Sequence, residues 1–166
     1  MLLAMPDEPP IPAPDGALEP PLHHRDQLND LLWETTTYIE LMGEAALSGT
    51  PLTLASSGML SAVLAEPGIT VAEMSRRMPK TQQAISQVAA RLEKLGLLER
   101  RVGSGRGVGL FVTEAGRAMA ETGLEREREL VSRLRELLGD ERYDELSRLL
   151  GEARAIVRVA QADSAA

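Results

Sequence analysis

The chain has 166 residues, the length of one ordinary domain, and its 43% hydrophobic and 26% charged residues are typical of a globular protein. It contains no cysteine, which excludes disulfides, thiolate metal sites and cysteine nucleophiles. Aromatic residues make up only 2%, so the core must be built from aliphatic side chains and methionine, a composition that favours helices. The net charge of −7 counts against a nucleic-acid partner unless the charges are unevenly distributed.

Residues 1–25 are predicted to form a proline-rich, disordered tail. Seven of the ten prolines lie in the first 22 residues, where they remove backbone donors and fix φ too often for a helix. The opening five residues lack a basic region and no run of 18 apolar residues occurs, so we expect no signal peptide, no membrane span and a cytoplasmic location. His23 and His24 are adjacent, and no nearby arrangement of Asp and Glu has the spacing of a ligand set, so no metal site is expected.

Apolar residues at three- and four-residue steps predict three helices in the first half of the folded region. The first spans residues 26–47. Thr53 is placed to cap the second, which closes at Pro67. Thr70 and Glu73 have the spacing of a capping box, in which each side chain satisfies an orphan backbone amide, and they begin a short third helix.

A fourth helix and a β-hairpin follow. Thr81 is placed to cap the helix and Gly96 to end it. Its inward positions are Ile85, Val88, Ala89, Leu92 and Leu95. Residues 97–102 and 109–113 flank the glycine-rich loop 103–107, which is the pattern of a hairpin. These are the only plausible strands, so the predicted fold class is mostly α with a small β-hairpin.

Two long helices close the chain, separated by Gly139 and Asp140, which supply a helix stop and a new N-cap. Their apolar stripes, like that of the first helix, have little evident core beside them. This favours a partner subunit over a larger monomeric core. We therefore expect residues 26–50 and 118–160 to form a dimerisation region, and residues 161–166 to form a tail.

Positive charge is concentrated between residues 71 and 117, which hold nine Lys or Arg and four Asp or Glu. The rest of the chain holds nine basic and 21 acidic residues. Clustered cations beside a helix-turn-helix favour binding to DNA phosphates, and amides on the outward face of the fourth helix can form paired hydrogen bonds with adenine. The predicted DNA-binding residues are Arg76, Lys80, Thr81, Gln82, Gln83, Ser86, Gln87, Arg91, Arg101 and Arg106.

At this point the chain resembles the multiple antibiotic resistance regulator (MarR) family of winged helix-turn-helix repressors, over about residues 26–160. The motifs that carry the resemblance are Leu-Thr-Leu (52–54), Ile-Thr-Val-Ala-Glu-Met (69–74), Ala-Ile-Ser-Gln-Val-Ala-Ala-Arg-Leu-Glu-Lys-Leu-Gly-Leu-Leu-Glu-Arg-Arg (84–101) and Val-Thr-Glu-Ala-Gly-Arg (112–117). The resemblance implies a DNA-binding lobe at residues 52–117 and a homodimer that reads a pseudo-palindromic duplex operator. It also implies, in many members, release by a small aromatic or phenolic effector.

The wing departs from the family pattern, which usually has an Asp-x-Arg element. Arg106 matches the Arg and is expected to enter a minor groove, but Ser104 replaces the Asp that helps to hold the wing. Together with the neighbouring glycines, this implies a more mobile hairpin. The effector pocket implied by the family is expected to be lined by Trp33, Tyr38, Met42 and Met59. For each of these four, packing in the core or in the dimer interface is the alternative.

We therefore expect a homodimeric DNA-binding regulator without catalytic residues or a cofactor. An enzyme is the first alternative, but no glycine-rich phosphate loop follows a strand and no nucleophile lies in an elbow motif. The second alternative is a winged-helix module that binds another protein. The basic region argues against it, and a gel shift with DNA would separate the two.

Overall fold

The computed structural model describes residues 28–102 and 107–164 of the chain. The predicted proline-rich tail lies outside the described residues. Within them the chain forms six helices, with one hairpin between the fourth and the fifth. The elements are α1 (Leu28–Ala46), α2 (Leu54–Ala65), α3 (Val71–Arg77), α4 (Gln82–Lys94), β1 (Leu98–Val102), β2 (Val108–Val112), α5 (Glu114–Leu138) and α6 (Asp140–Ser164). This confirms the prediction of a mostly α fold with a small hairpin.

The chain divides into two units, residues 1–37 and residues 38–166. The described part of the first unit is the N-terminal half of α1, in which Leu28, Leu31, Leu32 and Trp33 are exposed. The second unit holds the C-terminal half of α1 and all later elements. None of the helices in the described residues has the length and apolar character needed to cross a membrane.

Threonine is the N-cap of four of the helices. In each case the hydroxyl oxygen accepts a hydrogen bond from a backbone amide of the first turn that has no partner within the helix. The donor–acceptor distances are 3.0–3.2 Å, and the four residues are Thr53, Thr70, Thr81 and Thr113. Thr53 and Thr70 form complete capping boxes with Ser56 and Glu73. Gly96, at φ 70°, follows α4 and turns the chain towards β1, a backbone conformation that favours glycine.

The hydrophobic core of the second unit lies between α2, α3, α4 and the hairpin. Its most deeply buried large side chains are Leu60, Met74, Leu92 and Leu110. They come from four different elements, so each element is held by the others. Burial of one such side chain stabilises the fold by about 1.5–3 kcal/mol.

The hairpin is antiparallel, with Leu98 opposite Val112 and Val102 opposite Val108. The segment before α3 pairs with β2 of this hairpin. The Gly68 N–H donates to the Leu110 carbonyl at 2.8 Å. A Cβ on Gly109 would lie 2.7 Å from the Gly68 carbonyl oxygen, so this approach requires glycine. The pairing fixes the base of the hairpin beside α3.

Helices α5 and α6 are covered much less. Among their described residues only Gly116, Ala120 and Gly123, all in α5, are buried. Their exposed large apolar side chains are Leu124, Val131, Leu137, Leu146, Leu149, Leu150, Ile156, Val157 and Val159. The predicted apolar stripe of α6 is therefore mostly exposed in the single chain. In the stripe of α5, Val131 and Leu137 are exposed, whereas Leu130, Leu134 and Leu138 are half-buried.

The predicted N-cap of the last helix is wrong, and this helix extends beyond residue 160. Asp140 is the first residue of α6 and not its N-cap, and its carboxylate accepts a hydrogen bond from Arg135 at 3.0 Å. Helix α6 continues to Ser164, so its last turn occupies part of the stretch 161–166 that was expected to be a tail. Gln161 and Ala162, which begin this turn, have high helix propensities and favour the extension.

Candidate nucleic-acid interface

Helices α3 and α4 form a helix-turn-helix. The turn between them contains Pro79, and the Lys80 N–H donates to the Met78 carbonyl at 2.8 Å. Ile85, Ala89 and Leu92 of α4 are buried in the core. Because these residues occupy one side of the helix, the opposite side faces solvent.

This outward face of α4 carries the predicted amide side chains. Gln82, Gln83 and Gln87 are exposed and Ser86 is half-buried. None of the three glutamines forms a side-chain hydrogen bond with another described residue, so their donors and acceptors are available to a ligand. Thr81 is also exposed, but its hydroxyl oxygen accepts a hydrogen bond from the Ala84 N–H at 3.2 Å.

Two of the predicted DNA-binding cations lie near the turn between α3 and α4 and form no ion pairs with other described residues. Arg76 at the end of α3 and Lys80 in the turn are exposed, and neither has a hydrogen-bonded or ion-pair partner among the described residues. An unpaired cation can neutralise a phosphate without first breaking an ion pair. Arg76 and Lys80 are therefore better placed for this role than paired arginines.

The other predicted arginines are engaged within the chain or cannot be described. The Arg91 guanidinium donates to the Pro51 carbonyl at 3.1 Å. Arg101 pairs with Glu99 and lies 4.7 Å from the ring centroid of Phe111. The prediction for Arg106, and the replacement at Ser104, lie outside the described residues.

The cap of α3 places the Glu73 carboxylate close to Arg76 and Arg77. The backbone N–H of Thr70, and then its hydroxyl, hydrogen-bond to Glu73 and lower the pKa of this carboxyl, and Arg76 and Arg77 lower it further. The Glu66 carboxylate accepts from Arg77, which raises the pKa of the Arg77 guanidinium. Glu73 is thus committed to the cap and Glu66 to Arg77.

The sequence interpretation missed two residues on the outward face. Ala90 and Lys94 are exposed, and they follow Gln83 and Gln87 at helical spacing, so all four lie on one side of α4. Continuing from Gln83 and Gln87 towards the C-terminus in three- and four-residue steps would have predicted both residues. Lys94 has no hydrogen-bonded or ion-pair partner in the described part of the chain.

The four predicted effector residues differ in their surroundings. Trp33 and Tyr38 are 68% and 49% exposed, Met42 is half-buried, and Met59 is a core residue with 5% exposure. Within residues 38–166, a pocket of about 80 Å³ lies between α1, α2 and α5. Its walls include Gly43, Leu54, Ser57, Gly123 and Arg126, but not Tyr38, Met42 or Met59. The described residues contain no cluster of three or more side chains able to hold a metal ion.

The sequence and its fold match known regulators. The family model described as "MarR family" matches residues 50–107, which include α2, α3, α4 and β1. The HTH-type transcriptional repressor Rv2887 of Mycobacterium tuberculosis is 34% identical over 96 residues, which are 57% of this chain and 69% of that protein. The region that the family model matches thus contains the helix-turn-helix.

Solved structures agree with this result. The Mycobacterium tuberculosis MarR family protein Rv2887, in complex with salicylic acid, is 29% identical with a TM-score of 0.63, over 78% of this chain and 98% of that one. Bordetella bronchiseptica BpsR has a TM-score of 0.73 over 81% of this chain and 98% of that one, at 19% identity, and shows the fold alone. The chain therefore belongs to the MarR family, whose members are transcription factors and not enzymes.

Proposed function

We propose that this chain is a homodimeric transcriptional repressor that binds a pseudo-palindromic duplex DNA operator through α4 and the hairpin wing. The observation that carries the proposal is the outward face of α4, where Gln82, Gln83 and Gln87 are exposed and form no side-chain hydrogen bonds with other described residues. A surface helix without a ligand more often presents Glu and Lys than three neighbouring amides. Glutamine can form two hydrogen bonds with the major-groove edge of adenine, so we expect adenines in each half-site.

Cations near both ends of α4 support the same proposal. Arg76 and Lys80 lie before α4 and Lys94 in its last turn, all exposed and without ion pairs to described residues. Each phosphate that they neutralise releases a counterion, so the affinity should fall steeply with salt. The proposed binding lobe is residues 52–117, in which the wing arginine Arg106 would contact the adjacent minor groove and Arg101 would contact the backbone after leaving Glu99.

The proposed dimer rests on the uncovered apolar faces of α1, α5 and α6. In a soluble protein an exposed apolar surface of this extent normally marks an interface. A two-fold dimer would place its two recognition helices one turn of DNA apart, roughly 34 Å. An inverted-repeat operator follows from that symmetry, with residues 26–50 and 118–160 as the dimerisation region.

We further propose that a small aromatic acid releases the repressor from its operator. The Mycobacterium tuberculosis relative has been solved with salicylic acid and with p-aminosalicylic acid, at 29% and 28% identity to this chain. Trp33, Tyr38 and Met42 offer accessible side chains on α1 for such a compound. Met59 would have to leave the core to contact it. As a regulator of the chromosome, the protein would act in the cytoplasm.

Selection of bound duplexes from a random pool tests the proposal. Wild-type protein is expected to enrich an inverted repeat with adenines in each half-site. The double variant Gln83→Ala/Gln87→Ala should lose the enrichment, whereas the control Gln161→Ala, an exposed glutamine on α6, should retain it. A dimeric wild-type protein that enriches no sequence would contradict the proposal and favour a protein-binding module.

A further inference from the structure

Arg91 makes a long-range contact that links α4 to the segment between α1 and α2. Its Nη2 donates a hydrogen bond to the carbonyl oxygen of Pro51 at 3.1 Å, across 40 residues of sequence. Arg91 lies in the last turn of α4, and Pro51 lies in the α1–α2 junction, which we define as residues 47–53. The sequence assigned Arg91 to DNA, but the structure gives its guanidinium a partner inside the protein.

The acceptor end of this contact is held firmly. The Thr50 hydroxyl donates to the Leu47 carbonyl at 2.7 Å and accepts from the Leu52 N–H at 3.2 Å. Leu47 and Leu52 are buried on either side. The Glu44 carboxylate of α1 accepts from the first amide of α2 at 3.0 Å, so the junction is tied to both helices.

The donor end is held by packing and by an ion pair with the hairpin, in which the Arg100 Nε donates to the Glu93 carboxylate at 3.0 Å. Ala89 and Leu92, which flank Arg91 in α4, are fully buried. Apolar packing is not directional, so it resists separation of α4 from the core more strongly than rotation of the helix about its axis. A hydrogen bond has a preferred angle and distance, and Arg91 supplies one at the end of α4 opposite its N-cap.

We propose that Arg91 is a positioning residue: its hydrogen bond to Pro51 sets the rotation of α4, and thereby the direction in which Gln83 and Gln87 point. The inference rests on the proposed function, since it assumes that these amides read the operator. It differs from a phosphate contact in a measurable way. A phosphate contact lowers binding to all DNA and changes the salt dependence, whereas a positioning contact lowers only the preference for the operator.

The experiment compares Arg91→Lys and Arg91→Gln with wild type, using the selected operator and a random duplex over a salt series. Lysine keeps the charge but is shorter and lacks the planar fork. Both variants should therefore lower the ratio of operator to random-DNA affinity by roughly three- to tenfold, the range of one hydrogen bond. The slope of log affinity against log salt should stay at the wild-type value. The comparison variant Lys94→Gln removes from the same turn a cation that has no hydrogen bond among the described residues. As a proposed phosphate contact, it should weaken binding to both duplexes and flatten the salt slope, so the affinity ratio should stay unchanged.

Two outcomes would overturn the inference. In the first, Arg91→Lys behaves as wild type while Arg91→Gln flattens the salt slope by about one ion, which would make Arg91 a phosphate contact. In the second, neither variant changes the affinity ratio. Amide hydrogen exchange of the protein without DNA tests the Arg91–Pro51 contact itself. Its result therefore does not depend on whether the proposed DNA-binding function is correct. Arg91→Gln should speed exchange in residues 48–54 and 90–96 relative to Lys94→Gln, and equal exchange in the two variants would refute the contact itself.

Discussion

Thr70 and Glu73 cap α3 by a reciprocal pair of hydrogen bonds. The Thr70 N–H donates to the Glu73 carboxylate at 2.8 Å, and the Glu73 N–H donates to the Thr70 hydroxyl oxygen at 3.2 Å. Because α3 has only seven residues, it is too short to be stable by itself. The cap and the buried Met74 together hold the first helix of the helix-turn-helix.

Because of this cap, the free energy of unfolding of the DNA-binding lobe should decrease as the pH is lowered into the acid range. The pKa of Glu73 is lowered in the folded protein from its ordinary value of 4.5, so its stabilising effect is complete above that pH and is lost as the pH falls through the lower folded-state pKa. Urea unfolding of wild type and Glu73→Gln is expected to show a difference in the free energy of unfolding at neutral pH that shrinks in acid. A difference independent of pH would show that the carboxylate charge is not involved.

Substitution of the amide face should change sequence preference. Gln83→Ala or Ser86→Ala is expected to cost about 1–3 kcal/mol on the selected operator and much less on random DNA, because base-edge contacts carry the specificity. Fluorescence anisotropy with labelled duplexes measures both affinities, and Gln161→Ala serves as the unaffected control. Equal losses on both duplexes would reassign the two side chains to the DNA backbone.

A charge on the apolar face of α6 should separate the subunits. Leu146→Asp or Val157→Asp would bury a carboxylate in the proposed dimer interface, which is costly without a partner. Since both residues are exposed in the single chain, at 39% and 63%, and lie outside the core formed by α2, α3, α4 and the hairpin, we expect monomers in light scattering whose core remains folded. The control Val102→Asp, on the hairpin, should remain dimeric. A wild-type protein that is monomeric at high concentration would refute the dimer.

The contribution of Arg106 to DNA affinity should depend on the sequence that flanks the operator. A narrow A·T-rich minor groove has enhanced negative potential, so Arg106→Ala is expected to weaken binding more on A·T-flanked than on G·C-flanked operators. The salt slope should also fall by about one ion. Ser104→Asp is expected to strengthen binding if it restores a hold on the wing. Identical losses for Arg106→Ala on both flanks would indicate a phosphate contact.

Salicylate should weaken operator binding if the proposed effector class is correct. An anisotropy titration at fixed protein concentration measures release, and emission of Trp33, the only tryptophan in the chain, reports binding near α1. Tyr38→Ala is expected to reduce the response. Unchanged anisotropy and unchanged emission across a panel of aromatic acids and phenols would contradict the effector proposal.

The sequence was sufficient to predict the elements whose signals are local. The hydroxyl caps at Thr53, Thr70 and Thr81 and the periodic apolar residues of α4 act within one or two turns, so their spacing predicts the helix-turn-helix. The Arg91–Pro51 contact joins residues 40 positions apart, and no local pattern contains it. Met59 could not be assigned to core or pocket for the same reason, since its burial depends on distant elements.

The scarcity of buried residues in α6 has a consequence for the lifetime of the protein. A helix that buries none of its described side chains in its own chain is stabilised little by intrinsic propensity alone. With the proposed dimer as the main source of its packing, its order would depend on the subunit concentration. Newly made chains that have not found a partner would expose a frayed C-terminal helix to proteases. Turnover would then be fastest when synthesis is low, and the abundance of the regulator would respond to its own expression in a threshold-like manner.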